Sequence, residues 1–285
     1  MQINNHNINI KSIELDDIVH YDKLKYNTNN HWIDNKVPMD YKFILEQSNT
    51  DKWIDLLKPK YKTLTIDNEQ HINWLKQASK ICAITGKFSN LFTDELNQII
   101  KENESISNFD GNYFVRVNNV SLKYGFHGVG PYNNLKNVLE SVVSSIASHS
   151  PIKDDTQSLK IYLIEWINIL PLNEFRVFVY KNKITAISQQ NLYTKVGLDK
   201  LENKELIEKI SIIINYFDEI ICKKINWISN YSYDFAIVDN NKPYFIEINS
   251  FGKEYAAGSA LFHWIHDYSI LYNDANSNIE FRYTV

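Results

Sequence analysis

The chain has 285 residues, 44% of them hydrophobic and 22% charged, which supplies apolar material for one large domain or two lobes. Its formal charge of −4 gives no global basic field, so direct nucleic-acid binding is not expected. The polar N-terminus MQINNHNINI does not read as a signal peptide, and no apolar run approaches the ~18–20 residues that cross a bilayer, so a soluble cytoplasmic protein without a membrane partner is expected.

In chain order, residues 1–60 form a mixed N-terminal region. Ser12–Tyr26 reads as a short strand or helix, and Tyr41–Lys58 has helical spacing through Phe43, Ile44, Trp53, Ile54 and Leu57, closed by Pro59. Tyr61–Ile66 alternates as a strand. Glu69–Cys82 and Asp94–Glu102 read as helices, the second with Thr93 as N-cap. Asn112–Asn118 is a predicted strand. It leads into Ser121–Pro131, a loop with three glycines, Lys123 and His127. Such a loop suits the wrapping of backbone N–H groups round a phosphate, although no Gly-Lys-Ser/Thr follows as in a Walker A loop. Asn134–Ala147 is an amphipathic helix and Pro151–Ser158 a polar linker.

Leu159–Ile164 reads as a buried strand ending at Glu165-Trp166. Glu174–Tyr180 and Ile184–Gln189 form a hairpin, Asn203–Lys224 a long helix, Phe251–Ser259 a loop, and Ala260–Leu271 a closing helix. Between them, Tyr231–Val238 and Pro243–Asn249 form a second hairpin, because Asn240 and Asn241 tolerate the positive φ of a tight turn. Folding it there sets Asp234 opposite Glu247, with Asn249 two residues on along the same face. Tyr233, Phe235 and Ile237 fall opposite Ile248, Ile246 and Tyr244 on the core face. Directly opposed carboxylates repel. A divalent cation would remove that penalty, and oxygen donors from Asp234, Glu247 and Asn249 suit Mg²⁺. The competing reading is a solvent-facing hairpin with unpaired acids.

Arginine sharpens the choice. Of 30 Lys and Arg residues only Arg116, Arg176 and Arg282 are arginine. Arg116 and Arg176 lie within predicted strands, where a planar bidentate fork can face a ligand in a cleft, an ordinary salt bridge being the equal alternative for either one taken alone. Two such cations with an oxygen trio are the groups that hold a nucleoside triphosphate and its Mg²⁺. Glu165 and Trp166, next to Leu163, fall where an adenine pocket would form. Plain core packing is the stronger reading of Trp166, because Trp is highly buried on average. No HExxH or GxSxG occurs, and Cys82 and Cys222 read as buried free thiols of a reducing compartment.

The segments EFRVFVYKNKITAISQQ, YDFAIVDNNKPYFIEINSFG and SALFHW resemble the D123 (cell division cycle protein 123) family over roughly Phe114 to Asp267. The resemblance implies an α+β, two-lobed ATP-grasp fold with antiparallel sheets, packed helices and a nucleotide in the cleft between the lobes. Residues 61–165 would be the first lobe and 166–285 the second, with the metal-binding hairpin. It implies ATP and Mg²⁺ as ligands. Arg176 matches the ATP-contacting arginine, and Asp234, Glu247 and Asn249 match the Mg²⁺–ATP ligands, Glu247 standing where Asp is more usual. Arg116 and Lys123 match basic positions of the first lobe, and Leu163–Trp166 the hinge strand. Three departures stand out: Leu122 and Tyr124 flank Lys123, the Gly125–Pro131 loop is foreign to the pattern, and Gln190 occupies a basic position. The implied role is assembly of translation initiation factor 2 through a gamma-like subunit. An ATP-grasp ligase or phosphotransferase that activates a carboxylate or modifies a protein is the alternative. A binding module without a nucleotide is the third.

Overall fold

A computed structural model describes residues 7–19, 26, 37–58, 60–86, 90–103, 108–146, 149–255, 257–273 and 278–285. The chain divides into two compact units. One joins Met1–Leu57 to Asn168–Val285, and the other is Lys58–Ile167.

The Lys58–Ile167 unit is built on an antiparallel sheet of β2 (Tyr61–Ile66), β5 (Leu159–Glu165), β3 (Asn108–Arg116) and β4 (Tyr132–Asn134), in that order. Three helices accompany it: α4 (Glu69–Thr85), α5 (Thr93–Glu102) and α6 (Leu135–Ser144). Their apolar stripes meet the sheet in one core, with Leu75, Ile99, Val138, Leu139, Val142, Val115 and Ile161 each at 0% exposure. Asn68 caps α4 by accepting from the N–H groups of Gln70 and His71, and Gly86 ends it at φ 65°. The expected Thr93 cap does not form: a 3-10 turn, Asn90–Phe92, runs into α5, and the Thr93 hydroxyl donates back to the Asn90 carbonyl at 2.9 Å. Pro59 lies outside the described residues.

The discontinuous unit carries a six-stranded sheet in the order β1 (Asn7–Ile13), β10 (Asn278–Thr284), β7 (Lys183–Gln189), β6 (Glu174–Tyr180), β8 (Tyr231–Val238) and β9 (Lys242–Asn249). The last four are antiparallel as expected, while β1 and β10 extend the sheet in parallel. Neither added strand is among the expected elements: Asn-rich NINIKSI of β1 has poor strand propensity, whereas NIEFRYT of β10 alternates Ile, Phe and Tyr with polar residues and went unassigned. Only the first part of the Ser12–Tyr26 reading is described: it holds the end of β1 and α1 (Leu15–Val19).

The helix expected over Tyr41–Lys58 breaks into α2 (Tyr41–Glu46) and α3 (Thr50–Leu57). Two indole N–H groups take carbonyls at the break, Trp53 from Ser48 at 3.2 Å and Trp227 from Gln47 at 3.1 Å. The long helix is α7 (Asn203–Tyr216), one π turn at Phe217–Ile221, and the short α8 (Cys222–Lys224). Cys82 is buried, whereas Cys222 is only half-buried, and both are free thiols.

The closing helix shrinks to α9 (Tyr268–Leu271). Local side-chain bonds replace helical ones upstream of it. The His263 Nδ1 accepts from the N–H groups of Ile265 (3.1 Å) and His266 (3.0 Å), and the Asp267 carboxylate accepts from His263 N–H at 2.8 Å. Of the apolar residues expected on that helix, Leu261, Phe262 and Trp264 are buried, whereas Ile265 is exposed. Among the described residues, no helix is long and apolar enough to cross a membrane.

Candidate functional site

Strand register in the six-stranded sheet lines up one row of residues on a common face: Lys11, Arg282, Ser188, Arg176, Asp234 and Glu247, one from each strand. Asp234 lies opposite Glu247 as the hairpin reading requires, and Tyr233 lies opposite Ile248. A bulge follows Asp234, so nearer the turn the pairs are Phe235 with Phe245 and Ile237 with Pro243, one residue off the expected Ile246 and Tyr244. Asn240 and Asn241 both take φ 57° in the turn.

The row brings Arg176, Asp234, Glu247 and Asn249 together. Asp234 is 3% exposed. Arg176 grips it with two parallel bonds, Nε to Oδ1 and Nη2 to Oδ2, both 2.8 Å, and spends Nη1 on the Gly258 carbonyl at 2.9 Å. Burial alone would lower the arginine pKa, but the Asp234, Glu247 and Glu174 carboxylates more than offset it and the pKa is raised. Asp234 Oδ2 also accepts from Asn249 Nδ2 at 3.5 Å and from Gln190 Nε2 at 3.2 Å. The repulsion between the two opposed acids is thus answered in the protein itself by Arg176.

The segment Gly258–Leu261 crosses this row. Its Gly258 carbonyl goes to Arg176, its Leu261 carbonyl to Arg282 Nη1 at 3.0 Å, and its Leu261 N–H donates to Ser188 Oγ at 3.2 Å. Ser188 and Gly258 are site residues that the sequence reading missed, and Gln190 was noted only as standing at a basic position of the family pattern. The register of Ser188 beside Arg176 on the first hairpin was the available signal for one of them.

The remaining candidates belong to the Lys58–Ile167 unit. Arg116 is 2% exposed on β3, opposite Tyr162 and bridged to Ser121. Lys123 stands over the Tyr124 ring at 5.3 Å. With burial the larger cause, it helps lower the pKa of His149. Leu163 is 1% exposed, and its side chain is part of the unit's core. Glu165 and Trp166 line a pocket of about 740 Å³ with Lys60, Tyr61, Lys62, Asp110 and Tyr113. There Lys62, first, and the Tyr113 hydroxyl hold the exposed Asp110 carboxyl down to about 2.

The loop after β3 does not offer its N–H groups to a phosphate as expected. Phe126 N–H donates to Ser144 Oγ at 2.8 Å, His127 N–H to Ser141 Oγ at 3.1 Å, Gly125 N–H to the Leu122 carbonyl and Gly128 N–H to the Gly125 carbonyl. The His127 ring is paired with Glu140 at 2.7 Å. The loop is pinned to α6, and close approach is why Gly125 must be glycine: a Cβ there would lie 2.6 Å from Ser141 Cβ and 2.7 Å from its Cα. Gly125→Ala is therefore expected to cost about 1–3 kcal/mol by overpacking, read as a fall in thermal midpoint. An unchanged midpoint would show that α6 yields without cost.

The D123 family model matches residues 133–285, just over half of the chain. The chain belongs to the D123 family. It is similar to the translation initiation factor eIF2 assembly protein of Dictyostelium discoideum, 28% identical over an alignment of 173 residues that covers 55% of this chain and 43% of that protein. The Candida albicans protein of the same description is 35% identical over 108 residues, 37% of this chain and 30% of that one. The matches thus span less than half the length of these curated D123 relatives. Among solved structures, Cdc123 from Schizosaccharomyces pombe shares the fold: TM-score 0.60 at 17% identity, over 87% of this chain and 100% of that one.

Proposed function

We propose that this chain binds Mg²⁺–ATP along the Arg176–Asp234–Glu247 row and serves in the assembly of translation initiation factor 2, with a gamma-like subunit as partner. What carries the nucleotide reading is the buried two-bond grip of Arg176 on Asp234, set against Glu247 and Asn249 on one sheet face. The donor set fits a hard cation. Glu247 offers a half-buried carboxylate, and Asn249, whose Nδ2 faces Asp234, would use Oδ1. Asp234 already accepts three donors, from Arg176, Gln190 and Asn249, besides the second bond from Arg176. A cation would therefore draw on Asp234 fully only as Arg176 turns to a phosphate. Bound ATP would supply a polyphosphate whose charge the cation and Arg176 share. The ATP-grasp character of the fold and the nucleotide are supported by the motif resemblance of these strands. The assembly role is supported by the description shared by the two curated relatives.

Titration calorimetry with Mg²⁺–ATP tests the first part. The unaltered chain should give heat, and Glu247→Gln should weaken Mg²⁺-dependent binding roughly tenfold or more, as loss of a metal-site carboxylate does. Glu247 stands on the outermost strand of the sheet, so its variant should keep the fold. No heat and no thermal shift with the unaltered chain would overturn the reading. Failure of the chain to capture an initiation factor 2 gamma subunit, with ATP present and absent, would overturn the assembly role alone.

A further inference from the structure

Gln190 follows β7 directly, and its backbone N–H donates to the Glu174 carbonyl at 3.0 Å. Its side chain reaches past β6 to Asp234 on β8, where Nε2 donates to Oδ2 at 3.2 Å. That bond fixes the amide orientation, because the reverse would set Oε1 against a carboxylate oxygen. Oε1 is consequently turned away from Asp234. It is shut off from solvent and accepts no hydrogen bond. Buried acceptors are nearly always satisfied, so an orphaned one beside a charged row marks a place for something else.

What belongs there follows from the surroundings. Among the described residues no three His, Cys, Asp or Glu side chains converge as a metal centre, and the row contributes two carboxylates, Asp234 and Glu247. A hard divalent cation takes about six oxygens and accepts amide carbonyls beside carboxylates. Asn249 and Gln190 both lean on the same oxygen of Asp234 from its two sides, from β9 and from the end of β7. A donor N–H from a ligand would satisfy Oε1 as well, but the Asp234 carboxylate that Gln190 touches and the Glu247 carboxylate opposite Asp234 favour a cation. Resting on the Mg²⁺–ATP reading above, we infer that Gln190 is a further ligand of the divalent cation, through Oε1, alongside Asp234, Glu247 and Asn249. Arg176 holds Asp234 by two bonds, and Gln190 Oε1 accepts no hydrogen bond. With Arg176 turned to a phosphate, Asp234 and Oε1 would both be open to a cation, and the Nε2 bond would still orient Asp234.

Mn²⁺ titration followed by electron paramagnetic resonance, in the presence of ATP, tests this with two substitutions. Gln190→Leu removes both ends of the amide and should weaken Mn²⁺ binding roughly tenfold or more. Gln190→Glu loses the Nε2 donor, keeps an oxygen and adds charge, and should bind Mn²⁺ at least as tightly as the unaltered chain. If both substitutions weaken Mn²⁺ alike, the Nε2 bond to Asp234 is what matters and the ligand assignment is overturned. Full Mn²⁺ binding by Gln190→Leu, with binding lost in Glu247→Gln, also overturns it and leaves the Mg²⁺–ATP reading standing. An unaltered chain that binds no Mn²⁺ with ATP overturns both.

Discussion

Arg176→Ala is expected to destabilise the six-stranded unit by about 3–5 kcal/mol, because it leaves a buried carboxylate with its counter-charge gone. Asp234 is 3% exposed, and the side-chain amides of Gln190 and Asn249, which also donate to it, carry no charge to replace the guanidinium. The Gly258 carbonyl would lose its donor as well, loosening the crossing segment. Urea denaturation read by tryptophan fluorescence measures the loss. Adding Asp234→Ala to Arg176→Ala should recover a large part of it, since the orphaned charge is then gone. A double substitution no more stable than the single one would show that the cost lies in packing instead. Arg176→Lys should not rescue, because a point charge cannot reproduce two parallel bonds and reach Gly258.

Arg282→Ala should be of similar size, about 3–5 kcal/mol, from a second buried arginine with two acids around it. Arg282 is 4% exposed. It meets Asp267 with Nη1 at 2.8 Å and Nη2 at 2.7 Å, Glu280 with Nε at 2.6 Å, and the Leu261 carbonyl, and it stands 4.1 Å from the Phe262 ring centroid. Burial opposes its charge, but Asp267 and then Glu280 raise its pKa. The loss should be local first. Amide hydrogen exchange should speed up across β10 and across β1, whose sheet neighbour is β10, and across residues 260–267. Unchanged protection in β1 would show that the strand is held from elsewhere.

The candidate site was legible where its residues sit in regular strands. Alternation and a two-asparagine turn were enough to set Asp234 against Glu247, and the scarcity of arginine singled out Arg176. Register failed only beyond Asp234, because nothing in FIEIN announces a bulge. The segment over residues 260–267 has an apolar pattern that satisfies a helix equally well. The choice was made by His263 and Asp267 capturing backbone N–H groups, which no periodicity reveals. The glycine-rich loop read as donor-rich because the serines that consume its donors, Ser141 and Ser144, lie a helix away in sequence. β1 was missed for a related reason. A strand of Asn, Lys and Ser alternating with Ile is stabilised by its partner rather than by its own propensity, and that partner lies at the other end of the numbering.

That last pairing governs the order in which the molecule is made. β1 leaves the ribosome before the Lys58–Ile167 stretch, yet its partner β10 spans Asn278–Thr284, beyond that stretch. The continuous Lys58–Ile167 stretch has its own core and emerges in one piece between them, so it is free to fold while the chain is still growing. The residues before it must wait, with one strand unpaired, until β10 appears. Synthesis that stops short of residue 278 yields one finished unit and one open sheet edge on β7, a surface ready to pair with another chain. A permuted gene that places β1 directly after β10 would remove the wait and leave every strand pair of the row in place.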